Sequence, residues 1–359
     1  MNSRERVLAA VNHQVPDRPP IFVTVTPQVA GALTEHLGWE YEEPMDSLLS
    51  TRISHTKMLT RLGNDCVGVA ACVPDNKPSV TSADGVITNE WGMRFKTAGL
   101  YNEFCEYPLA HAETVKDVDN YAFPDPFAVG RFREAEKAIA AYRNDFCIVG
   151  DLETTIFETA WYLTGLEKFL VDLVSGAAYV EKLLDRILEI NLETGKELIR
   201  LGADIIWAGD DFGTQRGMIM DPALWRKVFR PRIRFLFEEF RKVNNEIKIA
   251  WHCCGSIPDI IPDFIEIGLD ILNPLQPKAR GMDPESLVNK FGRDLVFFGG
   301  IDIQELIPKG TPGQIKEEVR RICGILGRHG GYIVAPAHNI QPDTPIENIF
   351  ALFAAVKEF

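Results

Sequence analysis

Eight short apolar runs recur along the chain, most of them separated by longer stretches of helical periodicity. They are Ile21–Val25, Asp65–Ala70, Cys147–Asp151, Asp204–Asp211, Lys248–Cys253, Asp270–Pro274, Val296–Ile301 and Tyr332–Ala335. Each is a continuous apolar run, as expected of a parallel strand covered on both faces. The clearest helical pattern is Ala177–Leu201, where Val180, Leu183, Leu184, Ile187 and Leu188 mark one apolar side. Asp221-Pro222, Asp283-Pro284, Thr311-Pro312 and Thr344-Pro345 each set a capping oxygen before a proline. The oxygen accepts an orphan backbone N–H, and proline at the first helical position loses no bond. Thr344 with Glu347 also fits a capping box. Eight strands alternating with helices predict an α/β fold, a (β/α)8 TIM barrel, as a single domain over residues 1–359. An open doubly wound sheet is the alternative. No Gly-x-Gly-x-x-Gly follows a strand, which weakens its dinucleotide-binding version.

The chain has 359 residues, and a barrel needs roughly 250. Much of the surplus lies between strands 2 and 3, at about residues 73–130. Asp84-Gly85 stands there between β-prone runs, a hairpin signal, followed by Trp91, Phe95, Tyr101, Phe104 and Tyr107. We read this as a β-rich insertion over the barrel mouth, although surface decoration accounts for it equally well. Lys and Arg total 38 and Asp and Glu 51, a net charge of −13, which speaks against nucleic acid as a partner. No apolar run is long enough to span a membrane, and no apolar segment follows the charges of Met1–Arg6. Seven cysteines, an odd number, fit a reducing cytoplasm better than a disulfide framework.

In a barrel the chemistry sits where the C-terminal strand ends converge. Read in order, those ends carry Asp151 and Glu153, Asp210 and Asp211, His252 and Cys254, Asn273 and Gln276, Asp302, and His338. Along an extended segment His252 and Cys254 point the same way and Cys253 the opposite way, into the core. An imidazole and a thiolate two residues apart make a compact bidentate unit for zinc, although core packing also accounts for such a pair. The eighth strand closes beside the first, so His338 can face the fifth strand across the mouth as a third ligand. It can equally be a solvent-bridged loop histidine. Asp210-Asp211 reads as a catalytic pair or as a helix-capping loop. Glu153 is a further catalytic candidate, able to occupy the fourth zinc position until substrate displaces it.

At these residues the sequence resembles the uroporphyrinogen decarboxylase superfamily, and within it the cobalamin-dependent methyltransferase branch. The likeness runs through Arg4–Arg18, Thr164–Leu170, Asp210-Asp211, His252–Gly255 and Pro336–Ile349. It implies a barrel with zinc in its mouth, held by a His-x-Cys pair and a later Cys, which activates a methyl acceptor, usually a thiol. His252 and Cys254 match the pair, and His338 stands where the later Cys belongs. Two histidines and one thiolate leave zinc at a formal +1, whereas one histidine and two thiolates leave zero. The first is the stronger Lewis acid, suited to polarising a methoxy or related methylated donor. The resemblance further implies a corrinoid supplied by a partner protein. The Asp-x-His-x-x-Gly that ligates cobalt in such carriers is absent from this chain.

Two other readings stand beside this one. A decarboxylase acting on uroporphyrinogen would need cationic clamps for eight carboxylates, yet Thr24–Ala30 holds no arginine. A corrinoid- or tetrapyrrole-binding barrel without turnover would keep the fold alone. The oligomeric state stays open, a homodimer included.

Overall fold

The computed structural model describes residues 1–47, 52–98 and 101–359. After β1 (Cys66–Val69) come β2 (Val80–Thr81), β3 (Ile87–Thr88), β4 (Arg94–Ala98) and β5 (Tyr101–Glu106), which form an antiparallel sheet. Then follow β6 (Cys147–Asp151), β7 (Ile205–Gly209), β8 (Lys248–His252), β9 (Ile271–Leu275), β10 (Val296–Ile301) and β11 (Tyr332–Pro336). These six and β1 make one parallel sheet, ordered as in the chain. Helices fill the crossovers, the longest over Ala178–Leu201. None of the described helices is long and apolar enough to cross a membrane.

Side chains of successive strand residues point to opposite faces. Cys147 and Val149, Ile205 and Trp207, and Val296 and Phe298 pack into one layer inside the sheet. Ile148, Ile206 and Phe297 point outward into the helical core. Both faces are therefore dry, which is why the runs are continuously apolar. The inner layer also shows the curl. Phe22, Trp207 and Phe298 meet with ring centroids 5.0–6.1 Å apart, although they come from widely separated parts of the sheet's circumference.

The expectation of eight regular strands is corrected at Ile21–Val25. This segment makes isolated parallel bridges, Ile21 to Val334 and Val25 to Ile340. Toward β1, the Asp65 N–H donates to the Ile21 carbonyl at 2.8 Å, but side chains occupy the remaining positions of the ladder. The Asp65 carboxylate accepts the Ile21 N–H, and the Asn64 amide both accepts from and donates to Val23. Pro19 and Pro20, just before, have no N–H to contribute. The parallel sheet thus has seven regular strands, with an irregular segment bonded on both sides between its first and last.

Caps at Asp221, Asp283 and Thr311 form as read, with each side chain accepting a backbone N–H of its helix. Thr344 does not cap. The last helix starts at Ile346, so Thr344 stands one position too early, and its buried hydroxyl has no partner. The Asp84-Gly85 hairpin is present: β2 and β3 pair through Val80–Thr88 and Thr81–Ile87, and Gly85 takes φ +81°. The antiparallel sheet is rooted by Arg131 and Glu90, an ion pair at 2.7 Å with both side chains essentially buried. It reaches the helix Phe157–Thr164 through Phe104, whose ring stacks on Tyr162 at 4.7 Å. The side chain of Tyr101 lies outside the described residues.

At the opposite end of the strands, Asp65 is fully buried and accepts from Ser3, Arg6, Arg18 and the Ile21 N–H at 2.7–3.0 Å. This one carboxylate ties the first helix, the Ile21–Val25 segment and β1 together. Removing it deprives Arg6 and Arg18 of the carboxylate they share and leaves Arg6 with Asp17 alone. We expect Asp65→Ala to lower unfolding stability by about 3–5 kcal/mol, measured by urea denaturation of both proteins.

Candidate metal centre

β8 ends at His252, and Gly255, with φ +85°, turns the chain away. Between them the extended backbone alternates. Cys253 faces the core, where its sulfur accepts the Phe212 N–H, and Cys254 faces the mouth with His252. Cys254 Sγ lies 3.4 Å from His252 Nε2. Asp211, beyond the end of β7, brings Oδ1 to 3.6 Å from the same nitrogen and accepts the Cys254 N–H at 2.6 Å. Donors at the corners of a tetrahedron about 2.0–2.3 Å from a central ion stand about 3.3–3.8 Å apart, so these separations suit zinc. Among the described residues, Asp211, His252 and Cys254 form the cluster of metal-ligating side chains.

The imidazole is oriented from behind. His252 Nδ1 lies 2.6 Å from Asn273 Oδ1, while the Asn273 amide nitrogen donates to the Phe298 carbonyl at 3.2 Å. That second bond sets which end of the amide meets the ring. It places the histidine proton on Nδ1 and leaves the Nε2 lone pair facing Asp211 and Cys254. Burial and nearby Arg52 hold the His252 pKa well below its usual range, keeping the ring neutral as a ligand must be. Its face stacks on Trp207 at 5.9 Å. Close approach of β7 to β8 depends on Gly209, where a Cβ would lie 2.5 Å from His252 Cβ.

His252 and Asn273 line a small, partly open cavity with Phe22, Trp207 and Phe298, and with Thr24, His338 and Asn339 on another wall. The structure therefore brings His338 to the same cavity, but outside the close trio. Arg52 also lines it, 4.5 Å from the Trp207 ring centroid and paired with Asp151 at 3.5 Å and with Glu153. Glu153 has φ +49° and serves this ion pair.

Asp210 and Asp211 part company, as adjacent residues on extended backbone do. Asp210 is fully buried and accepts the N–H groups of Ile156 and Glu158 at 2.9–3.1 Å, at the start of the helix Phe157–Thr164. Burial pushes its carboxyl up to about 7, against the opposing effect of those bonds. The backbone N–H of Asp211 donates to Glu158 Oε2 at 3.0 Å, and the Tyr162 hydroxyl donates to Oε1 at 3.0 Å. Glu158 and Arg52 are the site residues that sequence reasoning missed. Glu158 meets Asp211 across 53 positions, and no local spacing marks that relation.

A family model described as uroporphyrinogen decarboxylase matches residues 103–359. Methylcobamide:CoM methyltransferase MtaA of Methanosarcina barkeri is 24% identical over 250 residues, covering 68% of this chain and 69% of its own length. A uroporphyrinogen decarboxylase of Thermus thermophilus is 26% identical over 183 residues, 49% of this chain and 48% of that protein, so the chain spans about half its length. The solved structure of a methyltransferase from Methanosarcina mazei shares the fold, with a TM-score of 0.73 over 100% of this chain and 99% of that one, at 21% identity. With the family match extending over well more than half of its length, the chain belongs to the uroporphyrinogen decarboxylase family.

Proposed function

We propose that this chain is a methyltransferase moving a methyl group between a small substrate, a methoxy or related methylated donor, and the corrinoid of a separate carrier protein. The reaction is placed at a zinc site in the mouth of a (β/α)8 barrel whose first strand is the Ile21–Val25 segment. The convergence of Asp211, His252 and Cys254, with the imidazole orientation set by Asn273, carries this reading. The methyltransferases among its relatives support it.

The proposed donor set is His252, Cys254 and His338, with Asp211 added by its position. Zinc held there would supply Lewis-acid polarisation of the atom that carries the methyl group. His252, Cys254 as thiolate, and His338 give a formal charge of +1, and Asp211 lowers it to zero. Asp211 is an oxygen donor with a side chain 34% exposed, against 12% for His252. It is the ligand placed to yield its position to substrate, the role the sequence suggests for Glu153. Glu153 instead holds Arg52 together with Asp151. Phe22, Trp207 and Phe298 form an apolar lining that keeps water from the reacting group, and Thr24 and Asn339 offer polar contacts to the substrate body. The antiparallel sheet stands beside the mouth as the lid next to which the carrier presents its corrinoid.

The cavity's charge argues against the decarboxylase reading. The guanidinium that lines it is already matched by two carboxylates, Asp151 and Glu153, a poor setting for an octacarboxylate.

Metal analysis tests the assignment. Purified protein should hold about one zinc per chain, while His252→Ala and Cys254→Ser should lose it on dialysis. Asp211→Asn should keep the ion with roughly tenfold weaker affinity. Metal-free wild-type protein, together with full activity of His338→Ala, would reject the reading. Asn273 touches no ion, yet Asn273→Ala should weaken zinc binding by about 10–100-fold in chelator competition, because the tautomer lock is gone.

A further inference from the structure

Two turns at the mouth are laced together reciprocally. Thr155 N–H donates to the Gly209 carbonyl at 2.8 Å, and the Gly209 N–H donates to Thr155 Oγ1 at 2.8 Å. Asp210 accepts the N–H groups at the start of the helix Phe157–Thr164, the role that a glutamate in the first turn often fills. Glu158, in that first turn, is thereby left to reach across to Asp211. Asp211 in turn accepts from Cys254 and faces His252 Nε2. Behind Glu158 stands the Tyr162 hydroxyl, and on the Tyr162 ring lies Phe104 of β5, 4.7 Å away with 25° between the planes.

We propose that Glu158 is a positioning residue for the oxygen donor of the metal site, and that Tyr162 and Phe104 extend this support to the antiparallel sheet. The inference rests on the metal-site reading above. Glu158 fixes the backbone of Asp211 through its N–H, and this sets where Oδ1 lies relative to Cys254 and His252. Tyr162 holds the Glu158 carboxylate in the orientation that accepts that N–H. Of the three donors, Asp211 is the one this support reaches, and it is the donor placed to exchange with substrate.

The test uses the full chain loaded with Co(II), reading affinity by chelator competition and ligand geometry from the visible absorption bands. Glu158→Ala should bind Co(II) about tenfold more weakly and with altered bands. Tyr162→Phe should shift the bands in the same direction with a loss of about threefold. Glu158→Gln should stay within about twofold of wild type, since its carbonyl still accepts the Asp211 N–H and its amide can donate to the Tyr162 oxygen. If Glu158→Ala fails to fold, Tyr162→Phe and Glu158→Gln carry the test. Wild-type bands and affinity in both Glu158→Ala and Tyr162→Phe would overturn the proposal while leaving the metal site standing. A Glu158→Gln protein whose affinity falls about tenfold would also overturn it. Wild-type protein without Co(II) bands would overturn the metal site and this inference together.

Discussion

A parallel sheet covered on both faces leaves no place along its strands for a group that needs water. Cys147, Val149, Ile205 and Phe298 fill the inside, and Ile148, Ile206 and Phe297 meet the helices. Polar side chains are confined to the ends, where a hydrogen-bond partner or solvent can be reached. At one end this produces the Asp65 hub, four donors on one buried carboxylate that hold the start of the chain against β1. At the other it gathers Asp151, Asp210, Asp211, His252, Cys254 and Asn273. The end with Asp65 is committed to stability, while the mouth can hold groups whose contacts are incomplete.

That constraint is also why much of the architecture can be read from the sequence. Continuous apolar runs give the strands, because a dry environment on both sides imposes one residue class. Their ends give most of the site, because polarity returns there abruptly, and alternation separates Cys253 from Cys254. Ile21–Val25 has the same apolar signature but is irregular. Its bonding is decided by Asn64 and Asp65, whose side chains act in place of backbone. Thr344 has a capping spacing that only the true helix start could reject.

The rest of the site depends on contacts with no local signal. Asp210 and Asp211 are a pair in sequence and a division of labour in space, one capping a helix and the other facing His252. Glu158 and Arg52 lie in stretches where nothing in composition or period separates them from other charged residues, and their roles exist only once distant segments meet. Asn273 is legible in the sequence as a polar strand end, but its control of the His252 tautomer requires the Phe298 carbonyl on the next strand.

Gly209 shows how a site can be specified by the lack of a side chain. Its α-carbon faces the backbone and Cβ of His252 so closely that even a methyl group would have to displace the imidazole or spread β7 from β8. Alanine there would injure the centre without removing any donor, and a mutational scan would score the position beside His252 and Cys254. Functional sensitivity in this fold therefore maps the clearance around the reactive atoms as well as the atoms themselves.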